Sequence, residues 1–284
     1  MLGTGRRLLT AGLCCCGVIA AQGPAVGANK AAASQAKTNA APALYTQSGT
    51  DPSFRSLLDA KALPLGGNST AVAKGSRIHV NTAALAQGAN SRNAIPRNIK
   101  IHTLCHSAVA RKDFPKWTRW YQEDGHTQIF RLFQGETNVR NQRELAARIE
   151  AFGETWEAGR TNEWHEWSGT FTIVRPHGCS IFQSKNNVND WSVMLNMGDD
   201  GNIILNHRRH QKDVVLARDM TGKSFDLLVR DNGRDYEVFF NDRKVGAGYY
   251  DRPQGSNGFR WGMYLGHHEV RHDALLFVTG AKYK

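Results

Sequence analysis

The chain has 284 residues, with 36 Lys and Arg against 25 Asp and Glu, which gives a formal net charge of +11. This length accommodates one large β domain with extensions or two small domains. The positive charge favours a polyanionic partner, whether nucleic acid, an anionic membrane or an acidic polysaccharide, and does not choose among them.

The N-terminal residues follow the order that is typical of a secretory signal peptide. Arg6 and Arg7 precede an apolar run at 8–21, and small residues follow at 26–28. The alternative is a short anchor helix, but about 14 apolar residues fall short of the roughly 20 that span a bilayer. We therefore expect residues 1–28 to be a signal peptide and the protein to be secreted, either extracellular or periplasmic. Cleavage removes two arginines and no acidic residue, so the charge falls from +11 to +9.

Residues 29–97 offer little that a core could bury. Residues 29–44 are rich in Ala, Lys, Ser, Gln and Asn, which predicts a flexible linker. From there to residue 97 the hydrophobic pattern stays weak. We expect an irregular N-terminal arm over this part, either loosely packed or disordered.

The composition changes near residue 98, where short segments rich in β-branched and aromatic residues begin to alternate with turn clusters. Glu123-Asp124-Gly125 is a hairpin turn signal. Leu145–Phe152 is a predicted strand, although residues 141–151 could also form a helix. The other predicted strands are Trp117–Gln122, Gln128–Phe133, Trp164–Val174, Cys179–Lys185, Trp191–Met197, Ile203–His207, Asp213–Ala217, Phe225–Arg230, Tyr236–Phe240, Lys244–Tyr250, Phe259–Leu265 and Ala274–Thr279. So many short strands with almost no helical periodicity predict an all-β, two-sheet antiparallel sandwich over residues 98–284, and a β-jelly roll is its commonest large form.

Two cysteines, Cys105 and Cys179, lie in this predicted domain. In an oxidising compartment they could form a disulfide that joins the start of the domain to its middle. Two buried free thiols are the alternative, and the sequence leaves both open.

Several predicted strands carry polar side chains on one face, because successive side chains of a strand point to opposite faces. For any one of them, a solvated surface residue is the simpler interpretation. Repetition across four strands favours a binding face for an acidic sugar, since guanidinium groups bind carboxylates. These side chains are Arg148 and Glu150, Gln183 and Lys185, Asn206 and Arg208, and Arg260 and Tyr264.

Three short segments on these strands carry a family resemblance. Phe259–Tyr264 reads Phe-Arg-Trp-Gly-Met-Tyr, which resembles the Phe-Lys-Ala-Gly-Val-Tyr segment of the jelly-roll alginate lyases of polysaccharide lyase family seven. Its Phe-Arg-Trp-Gly part is closer to families fourteen and twenty, the alginate and glucuronan lyases. Ile181–Lys185 is similar to the Gln-centred strand of these families, and Arg148-Ile-Glu150 resembles their Arg-x-Glu strand. The three segments stand in the family order, and the resemblance covers about residues 110–284.

The resemblance implies β-elimination on a polyuronate. A base removes the C5 proton of a uronate, the C4–O bond breaks, and a 4,5-unsaturated chain end forms. Tyr264 stands where the family tyrosine stands and is the expected proton-transfer residue. Gln183, Arg148 and Arg260 are expected to neutralise the charge that builds on the substrate carboxylate, with Lys185 beside them. Family seven has His two residues after its Gln, and here that position is Lys185, so the histidine's role is not carried over.

Family fourteen suggests further residues. Its Tyr-x-Tyr pair corresponds to His165-Glu-Trp167, which makes His165 a candidate base with an ordinary pKa near 6.5 and Trp167 a candidate binding residue; alternatively, both only pack or stack. His207-Arg208 and Arg140-Asn141 resemble substrate-binding His-Arg and Arg-Asn pairs. The remaining expected substrate-binding residues are Glu150, Tyr249 and Tyr250.

One further motif points to different chemistry. His268-Glu-Val-Arg-His272 matches the zinc-protease pattern His-Glu-x-x-His, which requires both histidines on one face of a helix and a third ligand. Here the stretch lies between two strand patterns and follows Gly266. We expect a turn that joins two strands, and neither a metal nor a cofactor.

The sequence therefore predicts a monomeric, secreted polysaccharide lyase that acts on alginate or glucuronan, with no nucleic-acid and no membrane partner. The alternative from another class is a non-catalytic carbohydrate-binding module for acidic polysaccharide. It would use the same basic face and would not need Tyr264 or His165. A nucleic-acid binder is a weaker alternative, because of the expected export and because the basic residues are scattered over many strands.

Overall fold

A computed structural model describes residues 42–63, 73–85, 88, 90–105, 107–139, 146–157, 163–207, 212–266 and 268–284, with the backbone alone for His207. The expected signal peptide and residues 29–41 of the expected linker lie outside these ranges. In the described ranges, none of the helices has the length and apolar character needed to cross a bilayer.

Across these ranges the chain forms seventeen strands, one α-helix and one 3-10 helix. The first elements are β1 (Tyr45–Ser48), α1 (Phe54–Asp59), β2 (Arg77–Val80), β3 (Lys100–His102), β4 (Val109–Ala110) and the 3-10 helix (Arg111–Lys116). The strands that follow are β5 (Tyr121–Asp124), β6 (Thr127–Leu132), β7 (Arg148–Glu157), β8 (His165–Arg175), β9 (Cys179–Asn186), β10 (Trp191–Met197), β11 (Ile203–His207), β12 (Val214–Ala217), β13 (Ser224–Asp231), β14 (Asp235–Phe240), β15 (Arg243–Tyr249), β16 (Ser256–Tyr264) and β17 (Ala274–Tyr283).

These strands build two large sheets. The front sheet has the order β12-β11-β10-β9-β16-β7-β3-β4, and the back sheet has the order β15-β14-β13-β8-β17-β6-β5. Neighbouring strands in both sheets are antiparallel. The predicted fold class, an all-β two-sheet antiparallel sandwich of the β-jelly-roll type, is confirmed.

The two large sheets pack on each other through aromatic side chains. The ring of Trp167 on β8 lies 4.9 Å from that of Phe182 on β9 and 5.7 Å from that of Trp261 on β16, between centroids. All three side chains are buried, and each such burial stabilises the fold by about 1.5–3 kcal/mol. Because side chains alternate between faces, burial of Phe182 and Trp261 directs their neighbours Gln183 and Arg260 to the outer face of the front sheet.

The predicted strands agree closely with the observed ones; Trp191–Met197 and Ile203–His207 match β10 and β11 at both ends. The prediction of a strand from Trp117 is wrong. The chain there forms the 3-10 helix with Pro115 and then a turn, in which the Trp120 N–H donates to the Trp117 carbonyl at 3.0 Å, and it enters β5 only at Tyr121. The Tyr121 N–H also donates to the Trp117 carbonyl, at 3.0 Å, so local turn hydrogen bonds replace a strand ladder at this point. Of the ambiguous segment 141–151, residues 148–151 belong to β7, and 141–145 lie outside the described residues.

The described part of the N-terminal arm is more regular than expected. β1 pairs with β2 as a separate two-stranded sheet. The backbone N–H of Ile78 donates to the side-chain oxygen of Gln122 at 3.0 Å, and that of Val80 donates to the carboxylate of Asp124 at 2.7 Å. These partners come from β5, more than forty residues away, so a local sequence pattern does not report them.

Cys105 and Cys179 are both free and buried. Burial raises the pKa of the Cys105 thiol to about 12 and raises that of Cys179 still further above its usual range. Of the two alternatives that the sequence left open, the structure has the buried free thiols.

Candidate functional site

A cavity of about 230 Å³ opens on the outer face of the front sheet, at its centre. It is bounded by three adjacent strands, β7, β16 and β9, and by the turn after β9. The residues that line it are Arg148, Glu150, Gln183, Lys185, Asn189, Arg260 and Tyr264. Six of these seven were predicted from the sequence, so the structure brings the three family-like segments together in one pocket.

The strand register explains the convergence. Tyr264 on β16 lies opposite Arg148 on β7, and Arg260 on β16 lies opposite Gln183 on β9. Residues two apart in a strand share a face, so Lys185 joins Gln183. Ile149, between Arg148 and Glu150, is completely buried on the inner side.

Gly262 lies between Arg260 and Tyr264 and opposite Glu150. Its φ is +127°, a backbone conformation that residues with a side chain rarely adopt. A Cβ atom at this position would come within 2.3 Å of the Ile149 carbonyl oxygen. Only glycine therefore allows β16 to approach β7 this closely at the floor of the pocket.

A buried carboxylate holds the glutamine of the pocket. The Nε2 amide of Gln183 donates to Oε1 of Glu150 at 3.0 Å, and the two residues are 4% and 3% exposed. A carboxylate only accepts hydrogen bonds, so this contact defines which end of the Gln183 amide points at Glu150.

Cationic groups outnumber the carboxylate. The guanidinium of Arg148 lies over the ring of Tyr264, 4.6 Å from its centroid, and that of Arg260 lies 5.5 Å from the centroid of Phe152. Lys185 is the third cation, and its Nζ donates to Oδ1 of Asn189 at 2.5 Å. Such an arrangement attracts an anionic ligand.

The electrostatics of the pocket act most strongly on Lys185. Burial, together with the nearby positive charges of Arg260 and Arg148, lowers the pKa of its amine from 10.5 to about 8, although Glu150 opposes the shift. A substantial fraction of this amine is therefore neutral in mildly alkaline solution, and it can accept a proton there.

A second, smaller cavity of about 90 Å³ continues from the pocket and shares Lys185 and Arg260 with it. It extends past Thr155, Asn187 and Gly258 along the strands. We call the two together the groove.

His165 does not reach the groove. Its ring stacks on Trp156, with centroids 4.3 Å apart and planes 17° apart, and it lines a different cavity of about 250 Å³ together with Glu154 and Tyr283. Burial lowers the pKa of His165. His165 therefore does not line the pocket that holds Tyr264, and its stacking on Trp156 agrees with the alternative that it only packs.

The other predicted residues divide into three groups. Trp167 is fully buried between the sheets, so the prediction that it binds substrate is wrong. Tyr249 is 66% exposed on β15, at an edge of the back sheet, and lies outside the groove, while the hydroxyl of Tyr250 donates to Asp190 at 3.3 Å, one residue beyond Asn189. Arg140, Asn141, Arg208 and the side chain of His207 lie outside the described residues.

Asn189 is the pocket residue that the sequence reasoning missed. It lies in the turn between β9 and β10 with a φ of +73°. The Asn-Asn-Val-Asn-Asp run at 186–190 is a turn signal, since Asn tolerates this conformation. The run does not, however, indicate that the side chain turns back onto Lys185.

The His-Glu-x-x-His stretch lies in the connection between β16 and β17, as expected, and its described residues 268–272 form no helix. His272 instead approaches Asp199 (Nε2 to Oδ1, 3.2 Å), which lies 3.9 Å from Nδ1 of His177. The backbone N–H of Arg271 donates to Nε2 of His177 at 3.1 Å, which assigns the proton of the neutral ring to Nδ1. Nδ1 then has no lone pair to offer a metal, so this cluster is better described as a hydrogen-bonded junction of three loops.

No protein-family model matches the sequence, and no curated protein matches it. Solved structures do match the fold. An alginate lyase of polysaccharide lyase family 7, AlgAT5, aligns with a TM-score of 0.51 and 14% identity, covering 66% of this chain and 94% of that chain. An alginate lyase from Corynebacterium sp. gives 0.51 and 13%, with the same coverage. A family 7 alginate lyase in complex with product (GGG) gives 0.50 and 11%, covering 66% and 93%.

At these identities the likeness establishes the fold. The chain has the β-jelly roll of family 7 alginate lyases, and it spans nearly the whole length of these structures. The closer resemblance to families fourteen and twenty stays a prediction.

Proposed function

We propose that this protein is a polysaccharide lyase that cleaves a polyuronate, alginate or glucuronan, by β-elimination. The observation that carries the proposal is the pocket on the front sheet, where Tyr264, the Gln183–Glu150 pair and three cations converge. The alginate lyase fold supports it. The expected export and monomeric state form part of the same proposal.

The reaction needs positive charge beside the C6 carboxylate of the uronate. When a base removes the C5 proton of a uronate, negative charge builds on the C6 carboxylate. Hydrogen-bond donors already fixed at that place lower the barrier because they need not reorganise. Gln183 is held by Glu150, and Arg260 lies opposite Gln183 on the adjoining strand, which supports the proposal that both bind the carboxylate.

Tyr264 is the proton-transfer residue in this proposal. A base takes the C5 proton, the electron pair of the C5–H bond forms the C4–C5 double bond, the C4–O bond breaks, and the leaving oxygen takes a proton from the Tyr264 hydroxyl. Arg148, over the Tyr264 ring, places positive charge beside the residue that gives up this proton. His165 has no part in this step, since it lines another cavity.

The identity of the uronate is the finer part of the proposal. The likeness of Phe259–Gly262 to families fourteen and twenty favours a substrate range that includes glucuronan. Alginate is favoured by the fold of the structures that match. The groove residues recognise a carboxylate, which both polymers carry on every sugar.

The test is the rise in ultraviolet absorbance from unsaturated uronate when the purified protein is mixed with polymannuronate, polyguluronate or glucuronan, with and without chelator. We expect a rise on at least one polymer, its loss in Tyr264→Phe, and its persistence in Tyr249→Phe, an exposed tyrosine outside the groove. A flat trace on all three polymers would overturn the proposal. If the polymers were then still retained in a pull-down, a non-catalytic carbohydrate-binding module would replace it.

A further inference from the structure

The turn between β9 and β10 contributes a groove residue to which the family resemblance assigns no role. Asn189 accepts the hydrogen bond from the Lys185 amine at 2.5 Å and lines the same pocket as Gln183 and Tyr264. A lysine side chain has four flexible carbons, so a fixed hydrogen-bond acceptor determines the preferred position of its amine. Asn189 therefore places this amine in the pocket.

The turn that presents Asn189 is itself held in place. The buried side chain of Asn186 accepts the backbone N–H of Asp190 at 2.7 Å and donates to the carbonyl oxygen of Gln254 at 2.9 Å. The hydroxyl of Tyr250 donates to the Asp190 carboxylate at 3.3 Å. Contacts within the turn and from the β15–β16 connection thus fix the backbone around Asn189.

Asparagine suits this position for two reasons. Its φ of +73° is a conformation that Asn tolerates better than most residues. Its side-chain oxygen accepts a hydrogen bond without carrying charge. An aspartate here would stabilise the ammonium form of Lys185, whereas the amide holds the amine and leaves it able to lose its proton.

The surroundings of Lys185 also favour the neutral amine. β10 places the uncharged Trp191 opposite Lys185. The one pocket carboxylate among the described residues, Glu150, accepts a hydrogen bond from Gln183. The charged and titratable groups of the pocket that face the amine from the adjoining strands are Arg148, Glu150, Arg260 and Tyr264.

We propose that Asn189 is a positioning residue that holds the Lys185 amine as the base of the reaction, with Tyr264 as the acid. This inference rests on the proposed function. The neutral amine takes the C5 proton, and the C5–H electron pair becomes the C4–C5 double bond. As the C4–O bond breaks, the leaving oxygen takes the Tyr264 proton. The ammonium then loses a proton to solvent and Tyr264 regains one, which restores both groups.

Two substitutions at Asn189 separate positioning from folding. Asn189→Gly keeps a residue that adopts positive φ and removes the acceptor, while Asn189→Asp keeps an acceptor and adds charge. The matched control is Asn241→Gly, because Asn241 also has positive φ, at 47°, and lies in the β14–β15 turn of the back sheet. Each variant is compared with the wild-type protein in the pH dependence of kcat and kcat/KM on the polyuronate that is cleaved.

We expect Asn189→Gly to lower kcat about tenfold with KM within about twofold, since a misplaced base slows the chemical step. Activity should rise with pH as the Lys185 ammonium loses its proton. Asn189→Asp should shift this ascending limb of the kcat/KM profile to a pH about 1 unit higher, because the added carboxylate favours the ammonium. A residue that only shapes the turn would leave this limb in place. Asn241→Gly should match the wild type in both measurements.

A second readout is independent of activity. In protein labelled with ¹³C-lysine, the Lys185 signal is assigned by its loss in Lys185→Arg and then titrated. Asn189→Asp should raise the pKa of Lys185 by about 1 unit and Asn189→Gly should lower it.

The possible failures are distinguishable. An active wild type whose pH profile and Lys185 titration are unchanged in both Asn189 variants overturns the inference and leaves the proposed function standing. An inactive wild type overturns the proposed function and the base assignment together. In that case the titration still decides whether Asn189 holds the amine.

Discussion

Gln183 donates a hydrogen bond to Glu150 at 3.0 Å across the strand that lies between them. Glu150 is on β7, Gln183 is on β9, and β16 separates the two strands in the front sheet. The contact therefore joins side chains that the register alone would keep apart. It fixes the amide that the proposed reaction uses to bind a carboxylate.

Replacing Glu150 tests this contact. Glu150→Ala leaves a buried amide without its acceptor, which costs about 1–3 kcal/mol of unfolding free energy, and it should lower turnover as well. Glu150→Gln keeps an acceptor oxygen, so it should lower the unfolding free energy and the turnover less than Glu150→Ala does. Urea unfolding and initial lyase rates measure the two effects. Glu269→Gln, an exposed carboxylate in the β16–β17 connection, is the control, and wild-type behaviour of Glu150→Ala would contradict the prediction.

Lys185 should lower the free energy of unfolding of the protein at neutral pH. Its folded-state pKa of about 8 lies below the ordinary 10.5, so the unfolded chain binds more protons between these values and stability rises with pH across that window. Lys185→Met should therefore stabilise the protein at pH 7 by about 1 kcal/mol, a figure reduced for partial exposure to water.

The comparison is made by urea unfolding at several values from pH 7 to 10.5. The stability difference between variant and wild type should shrink as pH rises through the window. The folded wild type then holds a neutral amine, so the free-energy cost of burying the ammonium disappears. A constant difference would mean that packing of the methionine, and not the charge, is responsible. The same variant should lose lyase activity, which makes Lys185 a residue kept for function at the expense of stability.

Gly262 should tolerate no side chain. In Gly262→Ala the Cβ would lie 2.3 Å from the Ile149 carbonyl oxygen, so β7 and β16 must separate. We expect a loss of about 2–4 kcal/mol and of lyase activity. Gly266→Ala is the matched control, because Gly266 also has positive φ, at 68°, with nothing within 4 Å of an added Cβ. It should lose about 1 kcal/mol, and equal losses in the two variants would show that backbone strain alone acts at Gly262.

The strands of the sandwich were predictable because each carries its own pattern. Phe182 and Trp261 alternate with Gln183 and Arg260, and that alternation reports apolar side chains on the inner face and polar, pocket-lining side chains on the outer face. The pocket followed from the same patterns, since side chains on one face of adjacent strands must meet. The sequence did not state which strands are adjacent; the pairing of β7 and β9 with β16 shows it.

The errors lie where a partner is distant or a pattern is ambiguous. Trp167 fits both an aromatic sugar platform and a core residue, and only the position of β8 in the back sheet decides. His165 lies on the same strand, β8, and therefore in the back sheet as well. Asn189 acts on Lys185 through a turn whose conformation depends on Tyr250 and Gln254, about sixty residues away. The N-terminal arm is the largest case of this kind.

The arm should be necessary for the stability of the sandwich. Ile78 and Leu85 pack on Ile129 and Phe277 of the back sheet, so a chain that starts at residue 98 would expose that surface. The polar anchor is Arg131, also on the back sheet, which is 3% exposed.

Nη1 of Arg131 donates to Ser76 at 2.8 Å and lies 3.4 Å from the Asp51 carboxylate. Removing the partner of a buried charge is more costly than losing a surface pair. We expect Asp51→Asn to lower the free energy of unfolding by about 1–3 kcal/mol. Asp59→Asn, an exposed aspartate at the end of α1, should leave it unchanged. Urea unfolding of the two variants and of a chain starting at residue 98 measures the effect. If the shortened chain unfolds at the wild-type urea concentration, the arm is dispensable and the domain begins near residue 98.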